Sequence, residues 1–251
     1  MKKLSRHTVQ TSFRVRRKTL IVDLGGCRSV LSSAPRAGGI TRARYILNHQ
    51  VPAKPIGNDD GGLGANARGL DPARTLRKLA IDLGIRDKFV GLMTAVSLTD
   101  LVTVREADEN IWVEGFVTVG TSNAVRAGES VAPKQRAGSG AHPGTINLIL
   151  VTNARLPASA MVGVVQVATE AKTAVLLHGK VKSWTGRPGA TGTGTDAVVV
   201  VSGNGPPLRY SGTHTVLGEL VGRAVGKAVR EGLARYVQHV HRTRRSRVMN
   251  P

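Results

Sequence analysis

Thr191-Gly192-Thr193-Gly194-Thr195-Asp196-Ala197-Val198-Val199-Val200-Val201 is the stretch on which the fold turns. Its second half is an unbroken apolar, mostly β-branched run, the pattern of a central strand covered on both faces. Its first half alternates glycine with threonine, which lets backbone N–H groups converge in a loop while hydroxyls project from it. On the C-terminal side, His214 or Thr215 to about Val240 reads as a helix, with Gly218, Gly222 and Gly226 recurring on one face as a packing contact. On the N-terminal side, Ile146 to Val151 reads as a strand and Leu156 to about Leu177 as a largely buried helix. Further upstream, Phe13 and Val15 alternate and Thr19 to Leu24 follow as a strand pair ending at Gly25-Gly26. Arg44 to Val51 and Phe89 to Val96 read as strands. Asp71-Pro72 starts a helix with the stripe Leu76, Leu79 and Ala80, and Gly84 ends it. Leu101 to Arg105 and Ile111 to Val119 flank a turn at Asp108-Glu109-Asn110, predicting a hairpin. Strands first, then strand–helix–strand–helix, predict an α/β fold: a single-domain sandwich with helices packed on a mixed, partly antiparallel β-sheet. The domain is expected over residues 12–241, with a basic, disordered arm at 1–11 and a basic tail at 242–251.

Composition narrows the function classes. The 251 residues suffice to bury a core without disulfides or metal staples. Cys27 is the one cysteine, so no internal disulfide forms and a reducing, cytoplasmic setting is expected. The basic start lacks the apolar centre of a secretory signal. The longest apolar stretch, 158–177, is broken by Gln166, Thr169, Glu170 and Lys172, so no membrane span is expected. The net charge of +20 invites a nucleic-acid reading, but basic residues crowd the two ends. No zinc finger, RNA-binding motif or basic–aromatic platform accompanies them, so no specific nucleic-acid partner is expected.

Four polar, glycine-bearing segments carry the candidate chemistry: Thr118 to Ala124, Gly144 to Asn147, Ala190 to Asp196 and Tyr210 to Thr215. The Thr191 to Asp196 loop can bind an anion or hold an oxyanion. It lacks the Gly-Lys-Ser/Thr ending of a P-loop and precedes a strand, unlike a dinucleotide fingerprint. Asp196 heads the buried strand and reads either as a functional carboxylate or as the anchor of a structural turn. Glu170 and Lys172 interrupt an apolar helix and, two residues apart, point in different directions. Glu170 is either a base or a rim ion-pair partner. His214, between two threonines before a helix, suits general acid or base work near neutral pH. His49, beside Asn48, is a weaker candidate of the same kind. No His, Cys, Asp and Glu spacing resembles a metal site, and no Gly-x-Ser-x-Gly elbow is present.

Taken in order, these segments resemble the adenosylcobinamide amidohydrolase family. The resemblance rests on Gly91-Leu92-Met93-Thr94-Ala95-Val96, Thr118 to Ala124, Gly144-Thr145-Ile146-Asn147, Thr169-Glu170-Ala171-Lys172, Thr191 to Asp196, Gly212-x-His214-Thr215-x-x-Gly218-Glu219, and the early Asn48-x-x-Val51. It spans about Gly38 to Leu233. It implies hydrolysis of the aminopropanol amide of adenosylcobinamide, or a related cobamide, to adenosylcobyric acid in corrinoid salvage. Cobalt then enters only within the corrinoid substrate, and no separate cofactor is implied. Two mechanisms stand. In one, His214, Glu170 or Asp196 activates water; in the other, Thr193, Thr195 or Ser122 attacks covalently. Asn48, Thr121, Ser122, Asn123, Thr145, Asn147, Lys172 and Thr191 are the expected substrate-binding groups. A non-catalytic corrinoid or nucleotide carrier and a basic nucleic-acid-associated protein are the competing classes, and a homo-oligomer is left open.

Overall fold

The computed structural model describes residues 10–52, 71–130 and 144–249. It is an α/β domain with a mixed sheet, as the sequence predicts. The strands are β1 (Ser12–Arg16), β2 (Thr19–Ser32), β3 (Gly39–Gln50), β4 (Phe89–Thr94), β5 (Val102–Asp108), β6 (Ile111–Val119), β7 (Ala124–Val125), β8 (Ile146–Thr152), β9 (Gly192–Thr193) and β10 (Ala197–Val201). The helices are α1 (Pro72–Asp82), α2 (Ala158–His178) and α3 (Val216–Met249), so the last helix continues through the basic C-terminal segment.

The main sheet runs β4-β3-β2-β10-β8-β6-β5, with β1 paired to β2. Two strand–helix–strand crossovers give its parallel pairs: β3 to β4 through α1, and β8 to β10 through α2. The β-branched run Ala197–Val201 is indeed central, between β8 and β2. α1 begins as expected: the Asp71 side chain accepts from the Ala73 N–H at 2.9 Å, and Pro72 occupies the first turn.

One local prediction fails. Gly25-Gly26 was expected to end a strand, yet β2 continues to Ser32. The glycines sit at an irregularity: the β2–β3 register shifts between Asp23 and Arg28, and Gly25 takes a left-handed φ of 68°. The hairpin bends there, and the sheet folds back over itself. Leu20, Val22, Ile46, Val90 and Leu92 pack on Phe116, Ile149, Val199 and Val201 in one core. The alternate residues Ile21 and Leu47 face outward onto Ala80, Leu83 and Ile85 of the α1 region. On the other side, Val117, Ile146, Leu148 and Leu150 pack against α2 and α3. The layers are therefore α2 and α3, sheet, folded-back sheet, α1.

By length and composition α2 is apolar enough to cross a membrane. Here it is a core helix, with Ala160, Met161, Val164, Val167, Ala168 and Leu176 buried. The N-terminal chain is tied down at Gln10 and Thr11, whose backbone N–H groups donate to the fully buried carboxylate of Glu114 at 2.6 and 2.9 Å. Arg105 pairs with the same carboxylate and lies 4.7 Å over the Trp112 ring.

The three recurring glycines of α3 are not equivalent. A Cβ on Gly218 would fall 2.0 Å from the Gly212 carbonyl oxygen, whereas one on Gly226 would meet nothing within 4 Å. Gly218→Ala should therefore cost about 1–3 kcal/mol of stability through backbone overpacking. Gly226→Ala should gain up to about 1 kcal/mol from helix propensity. Urea-denaturation midpoints of the two variants should move in opposite directions.

Candidate active site

Three segments converge where the parallel strands β8 and β10 begin: 118–124 leaving β6, 144–147 entering β8, and 191–196 entering β10. The short strands β7 and β9 pair antiparallel, Ala124 opposite Thr193, and join the first segment to the third. Thr195 Oγ1 donates to the Gly144 carbonyl at 3.1 Å, and Thr145 Oγ1 donates to the Thr195 carbonyl at 2.8 Å, joining the second to the third.

Asp196 is the hub. Its Oδ1 accepts from Thr193 Oγ1 at 2.5 Å and from the Ile146 N–H at 3.0 Å. Its Oδ2 accepts from Lys172 Nζ at 2.5 Å and from the Thr193 N–H at 3.1 Å. Lys172 is 7% exposed. It stands on the buried stripe of α2, one turn from Ala168 and one from Leu176, so its ammonium is carried inward to the carboxylate. Burying an ammonium costs several kcal/mol unless a partner offsets it, and Asp196 is that partner. The approach leaves no room for a side chain at position 192: a Cβ on Gly192 would lie 2.5 Å from Asp196 Oδ2 and 2.9 Å from Lys172 Nζ.

Behind this hub runs a buried amide–hydroxyl network between the two layers of sheet. Asn147 Nδ2 donates to Asn48 Oδ1 at 3.0 Å and to the Met93 carbonyl at 2.8 Å. Asn48 Nδ2 donates to Thr118 Oγ1 at 3.3 Å, and Thr145 Oγ1 lies 3.3 Å from Asn147 Oδ1. Thr118 in turn reaches Thr94 at 3.5 Å. In front of it, Ser122 Oγ and Asn123 Oδ1 are buried and have no hydrogen-bond partner among the described residues. They crowd against Gly144, where a Cβ would fall 2.7 Å from Asn123 Oδ1. Buried polar atoms without partners are rare, and a donor-capable hydroxyl beside a carbonyl acceptor matches the two faces of an amide.

Most of the residues singled out in the sequence thus come together: Asn48, Thr121, Ser122, Asn123, Thr145, Asn147, Lys172, Thr191, Thr193, Thr195 and Asp196. Thr121 and Thr191 act through the loop backbone and its turns. The Thr121 carbonyl accepts from the Ala124 N–H at 3.1 Å, and Thr191 Oγ1 accepts from the Ala127 N–H at 2.9 Å. Glu170 and His214 stand apart. Glu170 is exposed, two residues off the buried stripe that carries Lys172. His214 is exposed in the turn before α3, and the nearby Ser211 hydroxyl donates to the Ala160 carbonyl at the start of α2. From Ala160 to Lys172 the helix advances about 18 Å, so His214 lies near the opposite end of the sheet. Thr94 and Thr118 were not picked out individually. Their signal was a hydroxyl at the inward position of an apolar strand, in phase with Leu92 and Phe116. Among the described residues, no three His, Cys, Asp or Glu side chains form a metal-holding group.

Fold and cluster define a single-domain α/β protein whose polar site is built from a threonine, a carboxylate and a buried lysine at the strand ends. The family model of adenosylcobinamide amidohydrolase matches residues 2–241, and the chain belongs to that family. It is 31% identical over 231 residues to the adenosylcobinamide amidohydrolase of Methanosarcina mazei, covering 88% of this chain and 96% of that one. It is 32% identical over 250 residues to an uncharacterised protein of Methanocaldococcus jannaschii, covering 90% of each. Among solved structures, a Burkholderia beta-aminopeptidase matches at 12% identity and a TM-score of 0.39, over 88% of this chain and 79% of that one.

His49 follows Asn48 in β3 and points to the opposite face of the strand, away from the amide network. It is half-buried, and its Nδ1 lies 2.9 Å from Thr19 Oγ1. Burial lowers its pKa below the ordinary 6.5, a bond with the Lys18 backbone opposes the shift, and the Lys18 charge adds to it. Below pH 6.5 the unfolded chain therefore binds this proton more readily than the folded one. Stability should fall as the pH drops through that value. Thermal melts between pH 7.5 and 5.5, pH values bracketing about 6.5, should show a smaller loss for His49→Gln than for the parent chain.

Proposed function

We propose that the chain hydrolyses the aminopropanol amide of adenosylcobinamide, or of a related cobamide, to give adenosylcobyric acid. The observation that carries this reading is Thr193, whose hydroxyl donates to a carboxylate that a buried lysine orients. A nucleophile hydrogen-bonded to a base, with the base held by a third group, is the general arrangement of covalent amide hydrolysis. The three other donors on Asp196, Lys172 Nζ and the Ile146 and Thr193 N–H groups, hold its oxygens toward the Thr193 hydroxyl, and that hydroxyl is the group that meets substrate. Thr193 Oγ adds to the amide carbon and its proton passes to Asp196. The proton then goes to the departing amine nitrogen, and water cleaves the resulting ester, with Asp196 taking and returning the proton again. The unpartnered Ser122 hydroxyl and Asn123 carbonyl offer an amide C=O a donor and an amide N–H an acceptor. The family membership supports the corrinoid as substrate, and the same reading assigns the reaction to cytoplasmic corrinoid salvage.

Purified protein incubated with adenosylcobinamide should release adenosylcobyric acid, read by mass spectrometry. Thr193→Ala and Asp196→Asn should lower kcat by about a hundred- to ten-thousand-fold. Thr193→Ser should retain part of the activity. Glu170→Gln and His214→Ala, both exposed and off the cluster, should stay within about threefold of the parent. Tight corrinoid binding without product would make the chain a carrier, and neither binding nor product would sink the reading.

A further inference from the structure

Apart from the Thr193–Asp196 cluster, a concave site lies on the α1 side of the molecule. It is a cleft of about 710 Å³ between the end of α1 and the starts of β3 and β4. Five cationic residues line it: Arg36, Arg42, Arg77, Arg86 and Lys88. Its one acid, Asp87, is engaged by Arg44 at 3.1 Å. Arg77, Arg86 and Lys88 have no ion-pair partner among the described residues, so among these residues the cleft carries an excess of positive charge.

Arg36 is the telling residue. Its guanidinium sits 5.6 Å over the Phe89 ring, and its Nε is buried with no hydrogen-bond partner among the described residues. Its backbone is locked to Gly91 by two hydrogen bonds, Arg36 N to Gly91 O and the reverse, at 3.3 and 3.1 Å. The next residue, Ala37, takes a left-handed φ of 57°, a conformation that costs free energy for a non-glycine residue. A guanidinium fixed in place, with a buried donor left open, is preorganised for a bidentate oxyanion. The cations are not needed to neutralise the end of α1, because Arg17 already donates to the Asp82 carbonyl at 3.2 Å. Beneath them, Ala80, Ile85 and Phe89 give the cleft an apolar floor.

We propose that this cleft binds an organic polyphosphate of nucleotide size, such as a nucleoside diphosphate. Several cations call for more than one negative charge, the floor accommodates an uncharged ring, and the volume falls within the range of small-molecule sites. The site is separate from the Thr193–Asp196 cluster. It opens at Phe89, whereas the cluster adjoins Thr94 at the other end of β4, about 17 Å away along the strand. The inference is therefore independent of the amidohydrolase reading.

Isothermal titration of the full chain with ADP tests it, with pyrophosphate, adenosine and a 20-nucleotide single strand as parallel probes. ADP should bind at one site per chain, pyrophosphate more weakly, and adenosine at least tenfold more weakly than ADP. The exposed pair Arg77→Glu and Arg86→Glu should weaken ADP at least tenfold while leaving hydrolysis of adenosylcobinamide unchanged. Arg36→Lys, which keeps the charge and removes the fixed fork, should also weaken it. No saturable binding of ADP or pyrophosphate, unchanged affinity in these variants, or adenosine binding as tight as ADP would each overturn the proposal. So would oligonucleotide binding that these variants abolish and ADP cannot displace, which would assign the cleft to nucleic acid.

Discussion

An ammonium carried on the buried stripe of an apolar helix must meet an anion, and in this fold Asp196 is the anion that meets Lys172. The consequences reach further than two side chains. The same carboxylate accepts from the first backbone N–H of β8 and from both the N–H and the hydroxyl of Thr193. One ion pair therefore sets the position of α2 against β8, β10 and the loop between α2 and β10. An apolar pair of similar volume could equally satisfy the stability of the helix, since a buried ion pair is weak as a stabiliser. It could not reproduce the loop, because the Thr193 hydroxyl donates to this carboxylate, and its further bond, accepted from the Thr195 N–H at 3.4 Å, is long. The pair is better understood as a device for geometry than for stability.

The amide network explains why the fold-back of the sheet matters to the same place. Asn48 and Asn147 lie far apart in the chain, on strands that would sit well apart in a flat sheet of this order. Bending the β2–β3 hairpin at the glycine-bearing irregularity lays Asn48 over Asn147 and Thr118. Along this interior the contacts change from Phe116, Ile149 and Val199 to asparagine and threonine as the site is approached. A polar core of this kind is tolerable only when its members satisfy one another, and these do. The partners left over, Ser122 Oγ and Asn123 Oδ1, sit at its outer end.

Much of the layout was legible in local pattern. The Ala197–Val201 run, the Asp71-Pro72 helix start and the hairpin at Asp108-Glu109-Asn110 each carry a signal confined to a few residues, and each appears where the pattern puts it. Gly25-Gly26 misled because two glycines mark a strand end and a bulge equally well. The α2 charges could have been separated by helical phase alone: Lys172 is in step with Ala168 and Leu176, whereas Glu170 is not. His214 could have been separated by topology. Segments preceding two parallel strands share one end of the sheet, and a segment following them belongs to the other. Not legible was the convergence of Ser122 and Asn123 on the Thr191–Asp196 loop. It depends on the two-residue pairing of β7 with β9, too short to leave a periodic trace.

Charge is distributed by the same logic. With 36 basic residues against 16 acids, the chain has few carboxylates to spend. Several are committed inside the fold: Glu114 to Arg105 and the N-terminal backbone, Glu106 to Lys227 and Arg223, Asp196 to Lys172. Pairing leaves the total excess unchanged, but the acids are no longer available to intersperse among surface cations. The excess must then appear as patches, which repel themselves and favour anionic ligands. The Thr193–Asp196 cluster is the contrasting case. The charges at its centre cancel, and the rest of its lining is amide, hydroxyl and backbone. A site so composed suits a neutral ligand bearing amides better than a polyanion.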